Sequence, residues 1–360
     1  MSQLYLAVAG ITFALLFQLY RYARSSSPHP PKSLKISQIY VYPIKSLRTT
    51  PVTSALATRH GFQHDRVFML RKITPEGHQN MTVGHFPEMT RFLTLMKLDE
   101  SGNGSIEVTF KPGDQSSHTR TLEIPLSPDI QKLEPIDINM HGSPTKAFQM
   151  QDLYNKWFSE CFGYQVELAY LGDNKRGILF QDMLAPSPNT WLPSSMAKKS
   201  ALPEKPAITF ADCAPYLVVS ATSLNDVSAR LPDGVEMDVS KFRPNIVLEG
   251  ADGPWEEDYW RRIKIGPMEL VMMHNCVRCR SINIDYKTGT FGTGDSDEVL
   301  KKLQKDRRVD GGAKWSPVFG RYSFWGSSKR VPAQMLRVKD DVHVVEVNDE
   351  RTTWSWPDIS

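Results

Sequence analysis

The stretch "ISQIYVYP", Ile36 to Pro43, decides how this chain is read. Ile36, Gln38 and Tyr40 alternate with Ser37, Ile39 and Val41, and Pro43 closes the run. A two-residue period rich in β-branched and aromatic side chains is the mark of a half-buried strand. Runs of the same character follow at "DRVFMLRK", "SIEVTF", "QVELAYL", "YLVVS", "PNIVLEG" and "MELVMM", each bounded by Gly, Pro, Asn or Asp. Many short strands between turn residues predict a β-dominated, barrel-like body with a few peripheral helices. The helical segments are residues 150–161, with Leu153, Trp157, Phe158 and Cys161 on one stripe, and residues 222–231, opening on Thr222 and Ser223 as N-caps. A third, residues 295–307, begins with acids and ends with bases, as the helix dipole favours.

The chain has 360 residues, enough for one large domain or two modest ones. With 40% hydrophobic and 23% charged residues, it is not a disordered chain. A net charge of +3 and the lack of a long Lys/Arg run argue against a nucleic-acid partner. Of four cysteines only Cys276 and Cys279 are close in sequence, so reduced thiols in a reducing compartment are expected rather than a disulfide framework.

The N-terminus is different. Leu4 to Tyr20 is apolar apart from Thr12 and Gln18, and Arg21 and Arg24 follow at once. A bilayer takes roughly 17–25 such residues, and charge placed after the apolar run predicts an uncleaved anchor with the body facing the cytosol. Residues 1–24 are therefore expected to form a membrane anchor and residues 25–35 a Ser/Pro-rich linker. Met183 to Pro206 is too rich in Pro and Ser for regular structure and reads as a functional loop or a boundary.

"MHNCVRCRSINID", Met273 to Asp285, carries the thiol pair. A structural zinc site wants four ligands, and here only His274 lies near and no second pair exists. A redox dithiol wants its pair at the start of a helix, whereas both flanks look like strands. Two small core residues remain a third reading. If Cys279 to Asp285 is a strand, Arg280, Ile282 and Ile284 share one face, and Cys279 lies on the polar face with Ser281, Asn283 and Asp285. Residue chemistry alone makes Cys279 a candidate.

"YVYPIKSL", "HDRVFML", "KFRPNIVLEG", "NCVRCRSINIDYKTGT" and "SPVFGRY" occur in the order seen in MOSC proteins. The chain resembles the amidoxime-reducing branch of that family, molybdenum enzymes of the mitochondrial outer membrane. The resemblance runs from about residue 36 to about residue 347, includes the anchor, and is weak through residues 100–200. It implies a MOSC-type β-barrel domain over residues 186–350, an N-terminal MOSC-associated α+β domain over residues 36–185, and a tail over residues 351–360. It also implies a molybdenum cofactor, Mo-molybdopterin, whose metal takes the second Cys of C-x-R-C, here Cys279, as a ligand. A soft thiolate suits such a metal, and Cys276 is then a packed neighbour.

For the cofactor's phosphate the resemblance implies Lys45 and Ser46. Arg66, Arg243 and Asn245 would hold phosphate or pterin edges, and Arg278 and Tyr322 would line the group. Each has an ordinary alternative: a solvated Lys45, a surface Arg66–Asp65 pair, turn chemistry at Asn245 after Pro244. Where the family often has D-T-S-P, this chain has Asp212, Cys213, Ala214 and Pro215. Contact from Cys213 or Ala214 would then rest on backbone N–H groups, and Asp212 could relay protons.

The implied activity is reduction of N-hydroxylated or N-oxygenated compounds such as amidoximes and hydroxylamines, by two-electron oxygen transfer to the metal. No GxGxxG loop and no haem or iron–sulfur pattern is present, so electrons are expected from outside. In the family they come from cytochrome b5 and its NADH-dependent reductase. The implied location is the mitochondrial outer membrane, cytosolic face, ahead of the endoplasmic reticulum. The rival reading is a molybdenum cofactor carrier or sulfur-handling protein without reductase activity.

Overall fold

The computed structural model describes residues 32–113, 118–180, 183, 206–232, 234–293, 298–326 and 331–357. The expected anchor, most of the linker and nearly all of the 183–206 loop lie outside these residues. Among the described residues no helix is long and apolar enough to cross a membrane.

Seven strands close into a barrel: β1 (Lys32–Tyr40), β2 (Tyr216–Ser220), β3 (Ile246–Glu249), β4 (Trp260–Ile265), β5 (Met268–Val277), β6 (Val318–Trp325) and β7 (Asp341–Val347). The order around it is β3–β2–β6–β5–β4–β7–β1, and β1 pairs back onto β3 to complete the ring. Only the β2–β3 contact is parallel. The first strand of the described chain is thus the one that closes a barrel otherwise built from residues 216–347. Leu34, Ile36, Ile39, Val41, Tyr216, Ile263, Leu270 and Val342 fill the interior.

Strict alternation along "ISQIYVYP" would put Ile36 and Ile39 on opposite faces, yet both are fully buried in the barrel core. A register shift between Ile36 and Gln38 against β3 is the reason: the irregularity resets which side chains point inward. In β6, Gly320 (φ +82°) is needed where the strands crowd, since a Cβ there would sit 2.6 Å from Val219 Cγ1.

A second body packs Phe68, Phe92, Val108, Phe158 and Leu168 between a five-stranded sheet (Phe68–Thr74, Gly77–Asn80, Glu134–Met140, Ser143–Gln149, Val166–Tyr170) and a sheet containing Phe92–Leu98, Gly104–Phe110 and Arg120–Pro125. Residues 41–47 leave β1 and cross into it, with Ile44 bridging Phe68.

Three helices are described: α1 (Asp152–Phe162), α2 (Ala221–Ser228) and α3 (Val299–Gln304). In α1 Phe158 is buried but Leu153 is exposed, so the expected stripe does not hold at its first position. The N-cap position of α2 is Ser220, at the end of β2, rather than Thr222 or Ser223. Ser223 instead donates to Glu257 at 2.7 Å. The third helix is only the middle of the expected span, with Lys301 and Lys302 in its last turn.

Candidate functional site

The segment after β1 turns sharply, and the turn brings a set of cations together. Ser46 (φ +69°), Arg66 (+52°) and Arg243 (+55°) all adopt the left-handed conformation, as does His141 (+56°). Seven non-glycine residues among those described do so, and four of them gather here. Left-handed backbone costs a side chain roughly 1–2 kcal/mol, so its concentration in one place points to a functional region.

Arg66 reaches Asp65, Asn245 Oδ1 (3.2 Å) and the Arg243 carbonyl (3.2 Å). Arg243 donates to the carbonyls of Ser46 (3.3 Å) and Leu47 (2.8 Å). Both guanidiniums lie 4.6 Å from the Tyr42 ring centroid. The Tyr42 hydroxyl is buried without a partner among the described residues. Cation–π stacking holds the two like charges close without neutralising them.

Lys45 is buried and pairs with Asp212, which also lies 3.5 Å from His141. Burial pushes the Lys45 amine down, and Asp212 only partly restores it. The protein around Asp212 pushes its carboxyl up, but Lys45 and His141 outweigh that and hold it well below the usual carboxylate range. The Asp212 side chain is nevertheless 56% exposed, so the carboxylate is open to solvent on one side. Behind it Arg176, fully buried, donates to the carbonyls of Thr209, Ala211 and Asp212. Its Nη1 has no partner among the described residues.

Two of the thiols lie close to Asp212, whose charge acts on both Cys213 and Cys276. Cys276, in β5, is buried, and Cys279 just beyond it is exposed. Cys279 is followed by a 3-10 turn, Arg280–Asn283, and not by a strand. The parity argument therefore fails in its premise: the thiol reaches solvent because the chain turns there, and its Sγ lies 3.2 Å from Ser281 Oγ. Tyr322 interacts with both buried thiols, Cys213 and Cys276, and burial pushes both thiols up. Ala214 is buried beside them. The loop at Val83–Gly84 links Ser46 to the turn after Cys279: Val83 N–H donates to Ser46 Oγ (3.1 Å), and Arg280 donates to Gly84 O (3.3 and 3.2 Å).

Two of the residues expected at the cofactor also brace the protein. The Asn245 amide accepts from Leu217 N–H (3.1 Å) and Arg66 and donates to Tyr40 O (3.3 Å), so it fixes Arg66 and the β1–β2–β3 junction. Arg278 donates to Phe319 O (2.9 Å) and Phe242 O (2.7 Å), which pins the thiol loop to β6. Conversely His141, Arg176 and Tyr42 were not singled out from the sequence. The "HG" turn dipeptide at 141–142 was a signal for position but not for its contact with Asp212.

The model of the MOSC domain matches residues 205–350, and that of the MOSC N-terminal beta barrel domain matches residues 33–165. The chain belongs to the MOSC-domain family. It is 27% identical to mitochondrial amidoxime-reducing component 1 of Mus musculus over 80% of this chain and 76% of the mouse protein. The Homo sapiens protein of that name gives 27% over 80% and 77%. A molybdenum cofactor sulfurase of Arabidopsis thaliana is 27% identical over 77% of this chain, which spans only 32% of the sulfurase. In this MOSC protein the donor set suits an anionic group with a soft ligand position: buried Lys45 and Arg176, half-buried Arg66 and Arg243, partnerless donors on Tyr42 and Arg176, and one accessible thiol. Among the described residues no three His, Cys, Asp or Glu side chains converge to hold an ion by themselves.

Proposed function

We propose that this MOSC protein is a molybdenum-cofactor-dependent reductase of N-hydroxylated and N-oxygenated compounds, amidoximes and hydroxylamines among them. The observation that carries the reading is an exposed Cys279 together with a cluster of buried and half-buried cations, on a chain whose relatives are named for amidoxime reduction and molybdenum cofactor sulfuration. The cofactor would supply the two-electron chemistry that cleaves the N–O bond.

The chain's own residues would bind and orient. Cys279 offers the metal a thiolate. Lys45, Ser46, Arg66 and Arg243 face the phosphate end, where a compact ammonium and forked guanidiniums suit different oxygens. Tyr42 and Arg176 bring buried donors without partners to the same cluster. Asp212, held ionised between Lys45 and His141, can orient a bound water or a substrate N–H with its fixed negative charge. Tyr322, Cys213 and Ala214 close the apolar side, and Asn245 and Arg278 brace the cluster and the thiol loop.

Electrons would arrive from cytochrome b5 and its NADH-dependent reductase. An anchor over residues 1–24 would hold the protein on the mitochondrial outer membrane, cytosolic side, at raised effective concentration with its partners. Residues 36–185 and 186–350 are assigned as its two domains, with β1 contributed to the second. The decisive experiment pairs molybdenum analysis with turnover of benzamidoxime by the reconstituted chain. Cys279→Ala abolishes turnover and Cys276→Ala keeps most of it. Full activity in Cys279→Ala sinks the ligand assignment. Stoichiometric molybdenum without turnover favours the carrier reading.

A further inference from the structure

One large apolar side chain stands in solvent near the thiol loop. Trp315 is 80% exposed. Its loop is nonetheless well braced. Gly312 and Trp354 N–H groups both donate to Asp310 Oδ1 at 2.9 Å, and Ser316 N–H donates to Ala313 O at 3.1 Å. Two residues on, Pro317 O accepts the Arg278 N–H at 2.8 Å. Chain reach alone then keeps Trp315 within roughly 15 Å of Cys279.

The surroundings are basic. Helix α3 packs on the turn that follows Cys279, with Leu300 N–H donating to Asn283 Oδ1 at 3.1 Å. Val299 and Leu303 point inward, while Lys301, Lys305, Arg308 and Lys314 are exposed, as are Arg280 and Lys287. Among the described residues from 298 to 314 the exposed acids are Glu298 and Asp306, and Asp306 is engaged with Arg230 at 2.6 Å; Asp295 and Asp297, just before them in sequence, lie outside the described residues. Among the described residues from 298 to 314 four exposed cations, Lys301, Lys305, Arg308 and Lys314, outnumber the two exposed acids on the segment that carries the exposed indole.

We propose that Trp315 with Lys301, Lys305, Arg308 and Lys314 is the docking surface for an acidic one-electron carrier protein that reduces the Cys279 site. The proposal rests on the reductase reading. Two reduced carriers each deliver one electron in turn; with two protons from water the N–O bond breaks and one water leaves. A rim of cations steers an anionic partner, and a rigid exposed tryptophan is a common centre of binding energy. A second copy of this chain would bring like charge to like. A membrane would find one apolar side chain here, too little area to hold it.

The test uses the full chain with the soluble haem domain of cytochrome b5, an anionic haem protein, as probe, and a reduced viologen dye as the small donor. Trp315→Ala should weaken carrier binding about tenfold. The triple variant Lys301→Glu, Lys305→Glu, Lys314→Glu should weaken it at least about tenfold at low salt and flatten its salt dependence. Dye-driven benzamidoxime turnover should stay at the parent level in both. Unchanged carrier binding in both variants, an equal fall in dye-driven turnover, or binding of phosphatidylserine vesicles in place of the carrier overturns the docking role. A parent that binds the carrier but shows no dye-driven turnover defeats the reductase reading and leaves the surface standing. Dye-driven turnover without carrier binding does the reverse.

Discussion

Two buried polar clusters in this protein look alike in composition and differ in closure. Around Asp258 the carboxylate itself is fully engaged, although Arg321 Nε and Glu257 Oε1 nearby have no partner among the described residues. Its carboxylate takes both oxygens' worth of bonds from Arg307 (2.9 and 2.8 Å) and a third from Arg351 (2.8 Å). Nearby Arg321 reaches Asn275 Oδ1 and Thr352 Oγ1, both at 2.6 Å, and Asn275 donates to Asp310 at 2.9 Å. The Lys45–Arg66–Arg243 cluster has carbonyls, an aromatic face and two carboxylates for its cations, and part of its wall stays open to solvent. We read the closed cluster as architecture and the open one as the candidate site. Charge that the protein leaves under-compensated at an accessible wall is charge kept for a ligand.

The sharpest way to break this contrast is to open the closed cluster. Asp258→Ala strands Arg307 and Arg351 among buried neighbours, and should destabilise the fold by about 3–5 kcal/mol in chemical denaturation. Arg243→Ala in the open cluster should cost much less stability, while cofactor content drops. If the two variants melted alike, the distinction between architecture and site would be lost.

Glu257, beside Asp258, gives the next effect. Burial pushes its carboxyl up to about 7, Ser223 opposing and Asp258 assisting, and its Oε1 has no partner among the described residues. The folded state then keeps a proton that the unfolded chain releases near its ordinary value of 4.5. Between about 4.5 and about 7 the native state binds more protons, so stability falls as pH rises through this window. The shift is worth about 3 kcal/mol at pH 8. Glu257→Gln should recover up to that amount there and flatten the pH dependence of the denaturation midpoint across the window.

The clusters also show where sequence reading reaches its limit. Strand identity was legible because period and turn residues are local: "YLVVS", "PNIVLEG" and "MELVMM" all became barrel strands. The register shift in β1 was not, because it depends on pairing with β3, more than 200 residues away. Leu153 misled because a helical stripe in sequence does not say how far the neighbouring sheet extends. Lys45, Arg66, Arg243 and Cys279 could be named in advance through short motifs. The Lys45–Asp212 and Asp212–His141 contacts could not, since 167 residues separate the first pair and only the fold closes the gap. Asn245 and Arg278 sit in those same motifs, and their bracing hydrogen bonds to Leu217, Tyr40, Phe242 and Phe319 are contacts that residue type cannot reveal.

The smallest effect on stability, and the most telling for the contrast, belongs to Lys45. Its folded pKa lies below the ordinary 10.5 because burial disfavours the ammonium more than Asp212 favours it. The unfolded chain therefore holds its proton to higher pH. The cost of burying the charge is fully present below the folded value and fades as pH rises toward 10.5. Lys45→Met removes that cost and, with Asp212 open to solvent, strands no buried charge. At neutral pH the variant should be as stable as the parent or gain up to about 1 kcal/mol. Molybdenum and pterin content of the purified protein should nevertheless fall severalfold. A stabilised fold that has lost its cofactor is what a residue retained for a ligand predicts; marked destabilisation would instead place Lys45 with Asp258, in the architecture.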